Sequence, residues 1–323
     1  MPLKICVIGC GWMARAGHGP SYRHYLTHYP DTQLSACCDV DAGRAEGFRA
    51  DFGFSNAYTD WRDMLRVEKP DAVCLLVNVE YICEMSCEIL GMGIPLLLEK
   101  PPGLDAAETS RMAEAAASKN VPHAVAFNRR SAPLVNVLRD KLASLSLPVQ
   151  RIYYELLRIG RRDPDFSTTA IHGIDALRHI TGADYKHIAF TYQELPELGS
   201  GVCNIAAECV LTSGAQASLL FSPVTGLVSE GARVLLHDHC FELSIAGGPG
   251  GTPGFVRHHH AKEFCETPGD GSEFYISNGF YDENRDFLED IRAGRMPKHT
   301  LDTAIQSVAV AECIRKREKE YNA

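Results

Sequence analysis

The chain has 323 residues, 45% of them apolar and 23% charged, with a formal net charge of -9. That length exceeds what one hydrophobic core usually organises, so two domains are expected. The acidic balance excludes a nucleic-acid partner, because counterion release needs clustered Lys and Arg, and Arg129-Arg130 and Arg161-Arg162 are only isolated pairs suited to a small ligand. No run reaches the roughly 18 apolar residues of a membrane span. Pro2 and Lys4 lead straight into a β-type run without a leader pattern, so a cytosolic, non-membrane protein is expected. Twelve cysteines form no C-x-x-C pair, which points to reduced, buried thiols instead of disulfides or zinc.

Lys4-Ile5-Cys6-Val7-Ile8 is an apolar strand that meets a glycine turn, and Gly9-x-Gly11-x-x-Ala14 has the spacing of a dinucleotide fingerprint. The glycines let backbone approach a pyrophosphate. Ala14 is small enough for the following helix to lie close, its amino terminus offering N–H groups to the phosphates. Gly17-His18-Gly19-Pro20 is expected to interrupt that helix, either as a loop over the cofactor or as a plain surface connection. The next apolar run, Gln33 to Cys38, ends in Asp39, in the region of the acidic residue that binds a ribose diol. Val40 and Asp41 follow with no basic residue to neutralise a 2′-phosphate, so NAD is expected over NADP.

Helices near 42–52, 61–66, 80–92 and 105–119 then alternate with strands near 56–58, 72–77, 94–98 and 123–127. Such βα repetition predicts a doubly wound parallel sheet with its ligand crevice at the strands' carboxyl ends. Glu99-Lys100-Pro101 closes the 94–98 run, which makes Lys100 a candidate catalytic group; the alternative is a solvated lysine at a strand end. Asn128 and Arg129 follow the next strand at the same edge, in reach of nicotinamide ribose or substrate, with an interdomain salt bridge as the alternative for Arg129.

After residue 127 longer alternating runs appear at 149–158, 188–193, 202–211, 215–222 and 232–245, as expected of an open, mainly antiparallel sheet. The division expected is a Rossmann domain over 1–125 and an α+β substrate and oligomerisation domain over 126–323. A helix over 167–181 places His172, Asp175 and His179 on one face, and a last helix is expected near 303–320. His258-His259-His260, in a Gly/Pro-rich stretch, reads as a solvated or substrate-facing loop. His237 and His239 share a strand face but make a poor zinc site alone, so no metal is expected.

Taken in order, Gly9-Cys10-Gly11-Trp12-Met13-Ala14, Cys38-Asp39, Asp71-Ala72-Val73, Glu99-Lys100-Pro101, Phe127-Asn128-Arg129-Arg130 and His172-Gly173-Ile174-Asp175 resemble the glucose–fructose oxidoreductase, inositol dehydrogenase and rhizopine-catabolism (MocA) family. The resemblance implies an NAD(P) site, a sugar, cyclitol or other polyol-like substrate, and a homodimer or homotetramer assembled through the second domain's sheet. It places Gly9, Gly11, Trp12, Met13, Asp39, Val77, Asn78, Glu99, Lys100 and Asn128 at the cofactor, and Lys100, Arg129, Thr168, His172 and Asp175 at the substrate. Two departures stand out. Thr168 occupies the position where inositol-oxidising members usually carry Asp, and the frequent Thr-Pro motif after the fourth strand, with its downstream histidine, reads Val77-Asn78 and Ile82.

Oxidising a secondary alcohol needs a base of near-neutral pKa and a group that stabilises alkoxide character. His172 is assigned the proton transfer, Lys100 the substrate oxygen, and Thr168 a hydrogen bond to substrate or water. Asp175 reads as a structural partner near the site. Two other readings stand beside this one: redox-neutral elimination or glycoside cleavage with retained NAD, and a ligand-sensing regulator without chemistry.

Overall fold

The computed structural model describes residues 2–247 and 251–323. Short aliphatic runs, each followed by a turn and an amphipathic helix, build the first sheet from β1 (Lys4–Ile8), β2 (Gln33–Cys38), β3 (Asn56–Tyr58), β4 (Ala72–Leu75), β5 (Leu96–Glu99) and β6 (His123–Ala126). All neighbours are parallel and the order is β3-β2-β1-β4-β5-β6, so the chain reverses direction across the sheet between β1 and β4. Three connecting helices start on an aspartate cap: Asp41 accepts from Arg44 N, Asp60 from Arg62 N and Asp105 from Glu108 N. Those caps satisfy amide donors that a helix start leaves open. The core beneath the sheet joins Ile5, Val7, Cys74 and Leu97 to Tyr22, Phe48, Phe287 and Leu288.

The second sheet comprises β7 (Arg151–Leu157), β8 (Tyr185–Glu194), β9 (Cys203–Leu211), β10 (Gln216–Ser222), β11 (Ser229–Leu236), β12 (His239–Ser244), β13 (Phe255–His260), β14 (Glu263–Pro268) and β15 (Glu320–Asn322). Among the described residues its order is β14-β13-β12-β11-β7-β10-β9-β8-β15, antiparallel throughout except for β7 beside β10. The helix Ser167–Thr181 packs on β7 and β10, and Pro133–Leu145 packs on β12 and β13. Along β7 the buried Ile152, Tyr154 and Leu156 face the helices, while Tyr153 and Glu155 point to the open side.

Several expectations change. The first unit ends at Asn128 and takes back Gly279–Ile305, whereas a continuous 126–323 domain was expected. The physical reason is the amphipathic helix Phe280–Arg292, whose Phe287 and Leu288 complete the first unit's core. The run 232–245 is two strands, because Asp238 takes a left-handed turn at φ 61°. His237 therefore lies outside β12, and the three histidines 258–260 sit on β13 instead of a loop. The last helix stops at Arg315, and Glu320–Asn322 adds an edge strand against β8.

The Gly17-Pro20 segment also departs from expectation: it is helical, a π turn over Ala14–His18 running directly into the helix Gly19–His28. Pro20 is tolerated there because it occupies the first turn, where its missing N–H is not needed. His18 is buried, neither a cofactor lid nor a surface connection. A Cβ on Gly17 would stand 2.6 Å from Phe280 Cδ1, so only glycine lets this turn approach the Phe280–Arg292 helix. Gly17→Val is expected to lower stability by about 1–3 kcal/mol through overpacking, read as a lower thermal midpoint by circular dichroism; an unmoved midpoint contradicts that packing.

Candidate functional site

At the carboxyl edge of the first sheet, β1 opens into Gly9, whose φ of +96° is reserved in practice for glycine. A Cβ there would lie 2.2 Å from the Leu76 carbonyl oxygen, the residue after β4. Gly11 has the opposite surroundings: a Cβ on it would meet nothing within 4 Å, which leaves room for a phosphate against bare backbone. Met13 caps the π turn and Ala14 is buried beneath it. Trp12 projects outward, 66% exposed. The turn thus fits a dinucleotide, with backbone N–H groups at a helix start and no side chain in the way.

Asp39 leaves the end of β2, and its Oδ2 accepts from Cys10 N at 2.9 Å while Oδ1 accepts from Asp41 N at 2.9 Å. The carboxylate therefore braces the glycine turn. Arg44 Nε also donates to Oδ1, at 3.1 Å. A basic group does stand beside Asp39, supplied five residues on by the helix and not by the residues next to it. Val77 and Asn78 follow β4, and Asn78 immediately precedes the helix Val79–Gly91 without a side-chain capping bond. Ile82, one turn in, is buried in the core.

Glu99 and Lys100 leave the end of β5, and Asn128 follows β6 in a short 3-10 turn. Lys100 is half-buried, and Lys100 N donates to Glu99 Oε2 at 2.9 Å. The other oxygen, Oε1, lies 3.2 Å from Nε2 of His18, a residue that sequence reasoning did not place in the site. Its only local signal was a histidine between two glycines, inside a helix where glycine is otherwise costly.

Residues 3–127 match the family described as "Oxidoreductase family, NAD-binding Rossmann fold". Over these residues the chain is similar to the Gfo/Idh/MocA oxidoreductases. The inositol 2-dehydrogenase of Corynebacterium glutamicum is 29% identical over 143 residues, 44% of this chain and 41% of that protein. The rhizopine catabolism protein MocA of Rhizobium meliloti is 24% identical over 263 residues, 77% of this chain and 76% of that one. A crystal structure of a dehydrogenase from Chromobacterium violaceum superposes with a TM-score of 0.85 at 19% identity, covering 98% of this chain and 95% of the other, a likeness of fold. Residues 3–127 thus form an NAD-binding Rossmann unit.

In the second unit, Thr168 and His172 are both partly exposed and lie one turn apart on the helix Ser167–Thr181. Asp175 lies 1% exposed, held by Arg130 through both oxygens at 2.6 and 2.7 Å and by Ser307 Oγ at 2.8 Å. It anchors the helix. Arg129 is likewise buried: Nε and Nη2 both donate to Glu230 at 2.8 Å and Nη1 to Asn278 Oδ1 at 3.0 Å. The guanidinium forms an ion pair inside this unit, as a buried charge requires a partner of opposite sign.

Glu230, from β11, also accepts from Arg158 and from the Tyr154 hydroxyl. Burial alone would raise its pKa, but Arg129, Arg158 and His172 outweigh it and hold Glu230 well below the usual carboxylate range. His172 is thus within electrostatic reach of a carboxylate already spoken for by two guanidiniums. Glu230 stabilises the fold in full above its unfolded pKa and loses that contribution as pH falls through the depressed folded value. Arg129→Met, which leaves the buried Glu230 charge with Arg158 and the Tyr154 hydroxyl alone, is expected to destabilise by about 3 kcal/mol at neutral pH. Urea denaturation across a pH series checks this: the penalty shrinks as the solution is acidified, and a pH-independent penalty contradicts it.

Proposed function

We propose that the chain is an NAD-dependent oxidoreductase that moves hydride between the nicotinamide and a secondary alcohol or ketone of a sugar, cyclitol or related polyol. The observation that carries this reading is Lys100. It leaves the carboxyl end of β5, next to the β1/β4 switch point, with its main chain tied to the Glu99 carboxylate. The family match of residues 3–127 and the inositol dehydrogenase among the relatives support the cofactor and the substrate class.

Bound NAD supplies a hydride acceptor at its nicotinamide ring. The glycine turn and the helix start behind it hold the pyrophosphate, Asp39 takes the ribose diol, and Trp12, Met13, Val77, Asn78 and Asn128 border the nucleotide. Lys100 donates from its ammonium to the substrate oxygen and stabilises negative charge there. His172 takes the hydroxyl proton on oxidation and returns it on reduction. Thr168 donates or accepts a hydrogen bond with substrate or water and leaves the charge of the site unchanged.

Incubation with NAD and a broad polyol and keto-sugar panel, followed at the reduced-nicotinamide absorbance band, tests the reading. At least one secondary alcohol is expected to turn over. Lys100→Met and His172→Asn are each expected to lose about a hundredfold or more in kcat, while NADH still binds by fluorescence titration. Silence across the panel overturns the reading, and turnover without net NAD consumption converts it to redox-neutral chemistry.

We also propose a cytosolic location, supported by twelve unbridged cysteines, and self-association through the open face of the second sheet. That face exposes Tyr153 and Leu220, each 42% exposed, amid Glu208, Arg233 and Glu242. Leu220→Glu is expected to reduce a dimer or tetramer to monomer by light scattering; an unchanged mass contradicts this surface.

A further inference from the structure

We propose that His18 is a positioning residue for Lys100, acting through Glu99. The inference rests on the role given to Lys100 above. His18 is wholly buried, and it is the last residue of the π turn that follows the phosphate-binding glycines. Single π turns inside helices recur at functional sites, because they re-aim a side chain without ending the helix. Here the turn directs an imidazole from the cofactor loop under the sheet to the end of β5.

The hydrogen-bond accounting is closed. Glu99 is 7% exposed, and a carboxylate in that setting persists only if both oxygens are served. Oε1 has His18 Nε2 at 3.2 Å, and Oε2 has Lys100 N at 2.9 Å. An ionised carboxylate only accepts, so Nε2 carries a proton. Nδ1 then faces the Asn284 amide, with Nδ2 at 3.0 Å and Oδ1 at 3.2 Å. Asn284 Nδ2 also donates to the Phe280 carbonyl at 2.7 Å, which leaves its second hydrogen for the ring. Neutral imidazole accepts from Nδ2 and imidazolium donates to Oδ1, so both forms of His18 keep two partners. Phe280 meets the ring edge-on at 5.5 Å, and Cys74 Sγ lies 3.9 Å from Nδ1. Tyr22, buried beside Cys74, has its hydroxyl pKa raised by burial and by the charges of Cys74, Glu283 and Glu99. Burial disfavours the imidazolium, yet Cys74 and Glu99 outweigh it and raise the His18 pKa well above the ordinary value.

The chain Asn284–His18–Glu99–Lys100 N thereby sets the backbone from which the lysine side chain leaves. It also ties that backbone to the turn that follows the glycines. Removing His18 leaves Glu99 Oε1 without its ring partner, so the carboxylate turns and the Lys100 main chain loses its fixed acceptor.

The test uses the whole chain. Amine labelling with trinitrobenzenesulfonate over a pH series, mapped by mass spectrometry, reads the apparent titration of Lys100 against exposed Lys119 as internal control, without cofactor or substrate. His18→Met is expected to displace the Lys100 profile and leave Lys119 unmoved. On whichever polyol the panel identifies, it is expected to lower kcat about ten- to a hundredfold, by analogy with groups that orient metal ligands. His18→Gln, which keeps an N–H for Glu99, is expected to restore most of both. Should His18→Met not fold, Asn284→Ala, which releases only the Nδ1 side, moves both readouts the same way by less. A folded variant at either position with an unchanged Lys100 profile and unchanged kcat overturns the inference. Lys100→Met separates the two failures: if it leaves turnover intact, the reaction assignment falls, and the labelling profile alone judges His18.

Discussion

The first unit is organised by one close approach. Gly9 passes the Leu76 carbonyl at a distance that any Cβ would violate, with a backbone angle that other residues rarely adopt. That contact lets the β1 turn lie flat on the end of β4, at the place where the strand order reverses. From it follow the bare backbone at Gly11 and the reach of Cys10 N–H to Asp39. A nucleotide-binding edge of this kind is made of main chain, which explains why so few of its features are side-chain chemistry.

Side chains enter at the ends of β5 and β11, and both times as buried charge that must be answered. Glu99 is answered by a ring nitrogen and a main-chain amide, Glu230 by two guanidiniums and a phenol. The two solutions differ in consequence. The guanidinium cluster around Glu230 is a permanent ion-pair lock that steadies the second unit's sheet beneath the helix bearing His172. The imidazole at Glu99 is adjustable, because histidine and the asparagine amide can exchange donor and acceptor roles without leaving a polar atom unserved.

The limits of reading from sequence fall where long-range pairing decides a role. Arg129 and Asp175 carry the residue types of a binding site, yet each is consumed by a partner, Glu230 or Arg130, that no local spacing reveals. Arg44 escaped notice because the side chain returns to Asp39 from the far side of a helix cap. His18 was read as part of an interruption because Gly and Pro flank it. One of them, Gly17, is what allows the helical turn to approach the aromatic ring of Phe280, 263 positions further on.

By itself the sequence determined the parallel first sheet, the glycine turn, the acid at the end of β2, the lysine after β5 and the helix carrying Thr168 and His172. These follow from periodicity and steric rules that act over a few residues. Tertiary structure alone decided that residues 279–305 return to the first unit, that β13 is a strand, and which charged groups are consumed by one another. Burial and hydrogen-bond partnership depend on segments distant in the chain, and a buried charge takes whatever partner the fold brings within reach.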